Sequence, residues 1–92
     1  MRVVIDERAW RDLDDIAAWI DRDNRAAARH EVEKIRHVIG LLAEFPGLAR
    51  PGRAHGTWER MVPNSHYVIV FERLENPSKL IITSIMHAAR HR

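Results

Sequence analysis

The chain has 92 residues, of which 46% are hydrophobic and 30% are charged, and its formal net charge at pH 7 is +2. This length and balance predict one soluble globular domain, residues 1–92, with a single small core. The absence of cysteine excludes disulfide bridges and thiolate metal sites. No apolar run approaches the roughly 20 residues of a membrane helix. The first residues lack the apolar region of a signal peptide, so we expect a cytoplasmic protein.

The charged residues are unevenly distributed along the chain. Residues 1–45 carry 8 Lys and Arg against 10 Asp and Glu, whereas residues 46–92 carry 7 against 3. The basic excess in the second half weakly indicates an anionic partner. An ordinary mixed surface accounts for it equally well.

The first elements are a short strand at residues 2–5 and a helix over about 7–22. Asp6 is in position to cap the helix, and Glu7 suits the helix dipole. Trp19 is expected at the edge of the buried face, half covered. The apolar face that the helical spacing predicts consists of Ala9, Trp10, Leu13, Ile16, Ala17 and Ile20.

A second helix is predicted from Asn24, a good N-cap, to Pro46-Gly47, which ends it. Its wide apolar stripe indicates contact with more than one neighbour. The stripe consists of Ala28, Val32, Ile35, Ile39 and Leu42, widened by Val38, Leu41 and Phe45. Since only two or three residues join them, the two helices form a helical hairpin.

The second half of the chain is predicted as a loop followed by three strands. Residues 46–56 contain three of the four glycines and two of the four prolines, with Arg50 and Arg53 among them. Strands are predicted at 57–62, 66–73 and 79–86, and the run Tyr67–Phe71 is apolar throughout, as in a strand at the centre of a sheet. The pattern β-α-α-β-β-β predicts an α+β fold, with the helical hairpin packed on one face of an antiparallel sheet. The other face would stay partly uncovered and available for binding.

The ordered motifs of the second half resemble the RelE/ParE toxin superfamily, and its ParE (plasmid stabilisation) branch most closely. They are Gly56-Thr-Trp-Glu-Arg-Met-Val-Pro-Asn-Ser-His-Tyr-Val-Ile-Val-Phe71, followed by Ile85-Met-His-Ala-Ala-Arg90. The segments Asp12-Leu-Asp-Asp-Ile16 and Ile20-Asp-Arg-Asp-Asn24 fit the same family. The resemblance covers essentially the whole chain.

The resemblance implies a RelE/ParE-like toxin of a type II toxin–antitoxin system. ParE-like members inhibit DNA gyrase and block replication, whereas RelE-like members cut mRNA on the ribosome. Both are neutralised by a small antitoxin, here expected to be ParD-like with a ribbon-helix-helix domain, and operator DNA would be bound only through it. A hetero-oligomer with the antitoxin is therefore expected, with no membrane partner.

Two positions depart from the family pattern, so the pattern does not decide which residues face the target. Trp58 stands where the family often has a basic residue, and Arg60 stands where an aliphatic residue is usual. A shift of two positions keeps a side chain on the same face of a strand. We therefore expect target binding by Trp58, Arg60, Arg73 and Arg90.

Messenger RNA cleavage is the alternative activity, and an inactive member that only binds its antitoxin is a third. Cleavage needs cationic groups for the phosphate and a group that transfers a proton. Arg60, His87 and Arg90 would serve, but no tyrosine occurs near the C-terminus. This favours a gyrase-directed binding protein over an enzyme.

The remaining sequence signals concern the antitoxin and cofactors. Trp10, Leu13, Trp19 and Arg53 are the expected antitoxin contacts, although spacing also makes Trp10 and Leu13 core residues. Tyr67 is expected in the core with its hydroxyl at the surface. The six histidines are scattered and show no zincin spacing, so neither a metal nor another cofactor is expected.

Overall fold

Two helices and five strands form the chain in a computed structural model that describes residues 1–90. Asn24 caps the second helix as predicted, because its side-chain oxygen accepts the backbone N–H of Ala27 at 3.0 Å. Asp6 occupies the N-cap position of the first helix without a side-chain hydrogen bond. The elements in chain order are β1 (Arg2–Ile5), α1 (Glu7–Asp21), α2 (Arg25–Glu44), β2 (Arg50–Pro51), β3 (Trp58–Met61), β4 (Tyr67–Leu74) and β5 (Lys79–His87).

The strands form one sheet in the order β1-β5-β4-β3-β2, so the apolar strand β4 is central, as its composition predicts. The α+β class with a helical hairpin on one face is confirmed. The sheet is mixed rather than wholly antiparallel, since β1 runs parallel to β5. The two helices connect β1 to the rest of the sheet. A connection of this length permits parallel pairing, whereas a tight hairpin requires antiparallel strands.

The segment predicted as a loop at residues 46–56 contains a strand. Arg50–Pro51 pairs with β3 in antiparallel register, and the backbone N–H of Gly52 donates to the Thr57 carbonyl at 2.8 Å. The carboxylate of Glu59, only 2% exposed, accepts the backbone N–H of Arg53 at 3.0 Å. A buried side chain on β3 thus holds the segment, and proline and glycine content alone could not reveal this contact.

The core lies between the helical hairpin and the sheet. α1 packs over β5, and α2 contacts β4. Ala9, Leu13 and Ile16 point inward from α1, but Trp10 is 44% exposed, which corrects the prediction that it lies in the core. Ala9, fully buried, occupies the inward position beside it. The sheet contributes Ile69, Phe71, Leu80, Ile82 and Ile85. No helix within residues 1–90 is long and apolar enough to cross a membrane.

Candidate functional site

The register of β4 and β5 brings Tyr67 and His87 side by side. Their Cα atoms are partners at the end of the antiparallel ladder. The two rings make an edge-on contact with centroids 5.6 Å apart, and the ring of His66 stacks on His87 at 5.5 Å with an interplanar angle of 10°. A tyrosine far from the C-terminus in sequence therefore lies next to the C-terminal histidine in space.

Tyr67 and His87 line a cleft of about 630 Å³ between α1 and the ends of β4 and β5. We refer to it as the α1–β5 cleft. It combines apolar walls with both carboxylates and cationic groups. Its lining residues are Arg8, Asp12, Asp15, Ile16, Trp19, Tyr67, Ile85, Met86, His87 and Arg90. The structure thus brings together His87 and Arg90, two of the three residues predicted for RNA cleavage, whereas Arg60 does not line the cleft.

The surroundings of Tyr67 favour the protonated form of its phenol. Burial raises the pKa of Tyr67 above its ordinary value, the Glu31 carboxylate raises it further, and the Arg90 guanidinium opposes the increase. A protonated phenol beside a guanidinium can donate a proton or a hydrogen bond to an anion.

One row of α1 forms the opposite wall of the cleft, and sequence reasoning missed it. Arg8, Asp12, Asp15 and Trp19 recur at helical spacing and therefore share one face. The spacing could have been read from the sequence, but the strand that this face meets could not. Asp12 accepts the backbone N–H of Ile85 at 2.9 Å and so fastens α1 to the last strand.

A second group of predicted residues lies where the helices leave β3 uncovered. Trp58 and Arg60 pair with the core residues Phe71 and Ile69, so their side chains lie on the helix side of the sheet. The guanidinium carbon of Arg73 lies 5.2 Å from the Trp58 ring centroid, and Arg60 donates from Nη1 to the Leu48 carbonyl at 3.2 Å. We call Trp58, Arg60 and Arg73 the arginine rim. The fourth predicted target residue, Arg90, lies apart from it in the α1–β5 cleft.

The residues predicted to bind an antitoxin are dispersed. Trp10 and Trp19 are exposed on different sides of α1, and Trp19, at 66% exposed, is more open than the half-covered position expected. The Arg22 guanidinium lies 5.2 Å from its ring centroid. Leu13 is 4% exposed and belongs to the core, so it offers little to a partner. Arg53 is exposed beyond β2, away from α1.

A groove of about 490 Å³ lies between the two helices. We refer to it as the hairpin groove. Its floor consists of small apolar side chains that permit close approach by another backbone, and arginines of α2 border it. Arg25, one of these, is paired with Asp21 at 3.4 Å. The residues lining the groove are Ala17, Ala18, Asp21, Arg25, Ala28, Arg29, Val32, Glu33 and Arg36.

Metal ligands do not cluster in the part of the chain that the structure describes. Within residues 1–90, no three His, Asp or Glu side chains lie close enough together to hold a metal ion. His66 and His87 lie side by side with stacked rings. Two histidines without a third ligand do not make a metal site in this part of the chain.

Comparison with known proteins identifies the family that the sequence motifs resemble. Residues 3–92 match the family described as the ParE toxin of the type II toxin–antitoxin system parDE. The chain is 36% identical to the protein Y4kP of Sinorhizobium fredii over 81 residues, which are 88% of this chain and 81% of that protein.

Solved structures with low sequence identity share the fold. One, from the chromosomal ParDE toxin–antitoxin system of P. aeruginosa, has a TM-score of 0.81 at 19% identity and covers 95% of both chains. The YoeB/ParE toxin from Agrobacterium tumefaciens has a TM-score of 0.67 at 19% identity, covering 95% of this chain and 98% of its own. The RelBE2 toxin–antitoxin complex from Mycobacterium tuberculosis gives 0.62 at 20% identity, covering 94% and 95%.

Proposed function

Because this chain belongs to the ParE family of toxins from type II toxin–antitoxin systems, we propose that it inhibits DNA gyrase by binding and without catalysis. The observation that carries the proposal is the arginine rim. It joins an aromatic ring and two guanidinium groups on the helix side of the sheet, over the part of β3 that the helices do not cover. Aromatic and arginine side chains are the residue types most often responsible for affinity at protein interfaces.

The arginine rim is also partly ordered in advance. Arg73 is stacked on Trp58, and Arg60 is held by the Leu48 carbonyl. Side chains that are already fixed lose less conformational entropy on binding. Arg90 adds a fourth contact from the α1–β5 cleft in this proposal.

The test of this function is a gyrase supercoiling assay with the purified chain. We expect inhibition and the accumulation of cleaved DNA complexes at micromolar protein. The matched variants are Arg60→Ala and Arg73→Ala, with Arg2→Ala, an exposed arginine on β1, as the control. Full supercoiling activity in the presence of the wild-type chain would refute the proposal.

A cognate antitoxin is the second part of the proposal, and α1 is its binding element. Trp10 and Trp19 extend from α1, which is bordered by the hairpin groove and the α1–β5 cleft. We propose a ParD-like antitoxin that covers both sides of this helix. Trp19 lines the α1–β5 cleft, and Trp10 is exposed on another side of the helix. Exposed tryptophans are typical centres of binding energy at an interface, and truncating one at such a centre costs about 2 kcal/mol or more. Calorimetry with Trp10→Ala and Trp19→Ala tests the assignment.

Cleavage of mRNA remains the second candidate, and one observation favours it. Tyr67, His87 and Arg90 meet in the α1–β5 cleft, which supplies the proton donor that the C-terminal sequence lacks. In that function Arg90 would stabilise the phosphate and Tyr67 would transfer a proton. Ribosome-dependent cuts within codons, abolished by Tyr67→Phe, would support this candidate. An intact transcript profile during growth arrest would remove it.

A further inference from the structure

The turn that carries Arg90 is fastened by two hydrogen bonds from successive backbone amides. The N–H of Ala88 donates to the His66 carbonyl at 2.7 Å, and the N–H of Ala89 donates to Nδ1 of the His87 ring at 3.2 Å. The first bond joins backbone atoms and does not depend on side-chain charge. The second depends on a lone pair at Nδ1.

From this geometry we propose that His87 is a positioning residue that holds Arg90 over the α1–β5 cleft through the Ala89 N–H, and that it does so only while its imidazole is neutral. The inference rests on the proposed role of Arg90 in target binding. It gives His87 no contact with the target. Its ring instead fixes where the chain turns after β5.

The chemistry of imidazole explains why the charge state matters. A neutral ring has one nitrogen that donates and one that accepts, whereas a protonated ring donates from both. Because Nδ1 accepts from Ala89, protonation would place two N–H groups against each other and remove the bond. Protonation of the ring would therefore loosen the turn.

The surroundings of the ring carry both signs of charge. His66 stacks on one side of the ring, and Arg90 and carboxylates of α1 line the same cleft. The titratable and charged groups facing the ring are His66 from the β3–β4 turn, Tyr67 from β4, Arg90 from the final turn, and Arg8, Asp12 and Asp15 from α1, with Glu31 of α2 acting on Tyr67.

Two substitutions at His87 test whether the hydrogen bond from the Ala89 N–H is what matters. The side-chain oxygen of asparagine stands near the place of Nδ1 and readily accepts the backbone N–H two residues on. Glutamine reaches past that position. His87→Asn therefore keeps the bond to Ala89 at all pH values, and His87→Gln loses it.

The decisive measurement is the heteronuclear NOE of the Ala89 and Arg90 amides in the full chain by NMR. In the wild type we expect ordered amides at pH 8 and reduced values in acid, once the imidazole is protonated. His87→Asn should remain ordered at both, and His87→Gln should be mobile at both. An ordered Arg90 amide in His87→Gln, or no pH effect in the wild type, would overturn the inference.

Gyrase inhibition at pH 8 supplies the functional arm. His87→Gln should be weaker than the wild type by about fivefold to tenfold, the worth of one hydrogen bond, and His87→Asn should inhibit more strongly than His87→Gln. The double variant of His87→Gln and Arg90→Ala should be no weaker than Arg90→Ala alone, since both changes act through Arg90. A wild-type chain without effect on gyrase would refute the proposed function, while the NMR result would still decide whether His87 positions Arg90.

Discussion

The carboxylate of Asp12 on α1 accepts the backbone N–H of Ile85 on β5 at 2.9 Å. β1 pairs with β5 only as far as Ile82, and within residues 1–90 no other strand borders the rest of that edge. Asp12 takes the place that a carbonyl of a sixth strand would occupy. One helix side chain thus satisfies an edge donor and also lines the α1–β5 cleft.

Replacing Asp12 by alanine should destabilise the domain by about 1 to 3 kcal/mol, because a partly buried N–H loses a charged acceptor. Asp12→Asn retains an oxygen acceptor and should cost less. The measurement is the urea midpoint at unchanged m-value. Asp14→Ala, an exposed change on the same helix, is the control and should stay within about 0.5 kcal/mol of the wild type. Equal midpoints for the Asp12 and Asp14 variants would contradict a role for the bond.

The stacking of Arg73 on Trp58 should appear as a coupling energy. We expect about 0.5 to 1 kcal/mol of unfolding free energy from a double-mutant cycle of Trp58→Leu and Arg73→Met, the range of cation–π pairs that are not fully buried. The methionine keeps much of the arginine stem and removes the charge. Additive effects of the two changes would mean that the contact contributes nothing to folding.

Within the arginine rim, Arg60 should affect toxicity more than folding. Arg60→Ala should relieve growth arrest while leaving antitoxin affinity largely intact, because Arg60 lies away from α1. Arg60→Gln can still donate to the Leu48 carbonyl but carries no charge, so it separates the charge from the hydrogen bond. If both variants stay as toxic as the wild type, the active surface lies elsewhere.

The single tyrosine of the chain makes one titration directly observable. Since the pKa of folded Tyr67 is raised, the folded state binds this proton more tightly than the unfolded state does. The resulting stability is fully present below the ordinary value of about 10 and is lost as pH rises through the raised pKa. Tyr67→Phe should therefore lose less stability in alkali than the wild type.

Two variants test the causes of that shift by tyrosinate absorbance. Arg90→Ala should raise the pKa of Tyr67 further, and Glu31→Gln should lower it, because they remove opposite influences. A pKa unchanged by Arg90→Ala would show that this guanidinium does not act on the phenol in solution.

Local patterns predicted most of the fold, and pairing between distant segments accounts for what they missed. The apolar run at Tyr67–Phe71 placed β4 at the sheet centre, and Asn24 marked the start of α2. The strand at Arg50 was missed because it depends on Glu59, whose partners are defined only after folding. Trp10 was placed in the core because helical spacing alone cannot tell the inward position, Ala9, from the position next to it.

For the site, the sequence supplied residues but not their grouping. Arg60 and Arg90 were predicted as one surface, and the structure separates them into the arginine rim and the α1–β5 cleft. Tyr67 entered the cleft through the register with His87, which no local pattern encodes. Predictions made from single positions therefore identify candidate chemistry, and strand register decides which groups act together.

The parallel pairing of β1 with β5 also constrains when the protein becomes complete during its synthesis. Arg2–Ile5, which are translated before the helical hairpin, pair with Lys79–Ile82, which are translated well after it. Contacts across such a sequence separation form late and slow folding. A nascent chain can form its helical hairpin early, but it has no closed sheet and no α1–β5 cleft until β5 has left the ribosome. The α1–β5 cleft, which carries Arg90, is thus assembled after the helical hairpin and after the strands of the arginine rim.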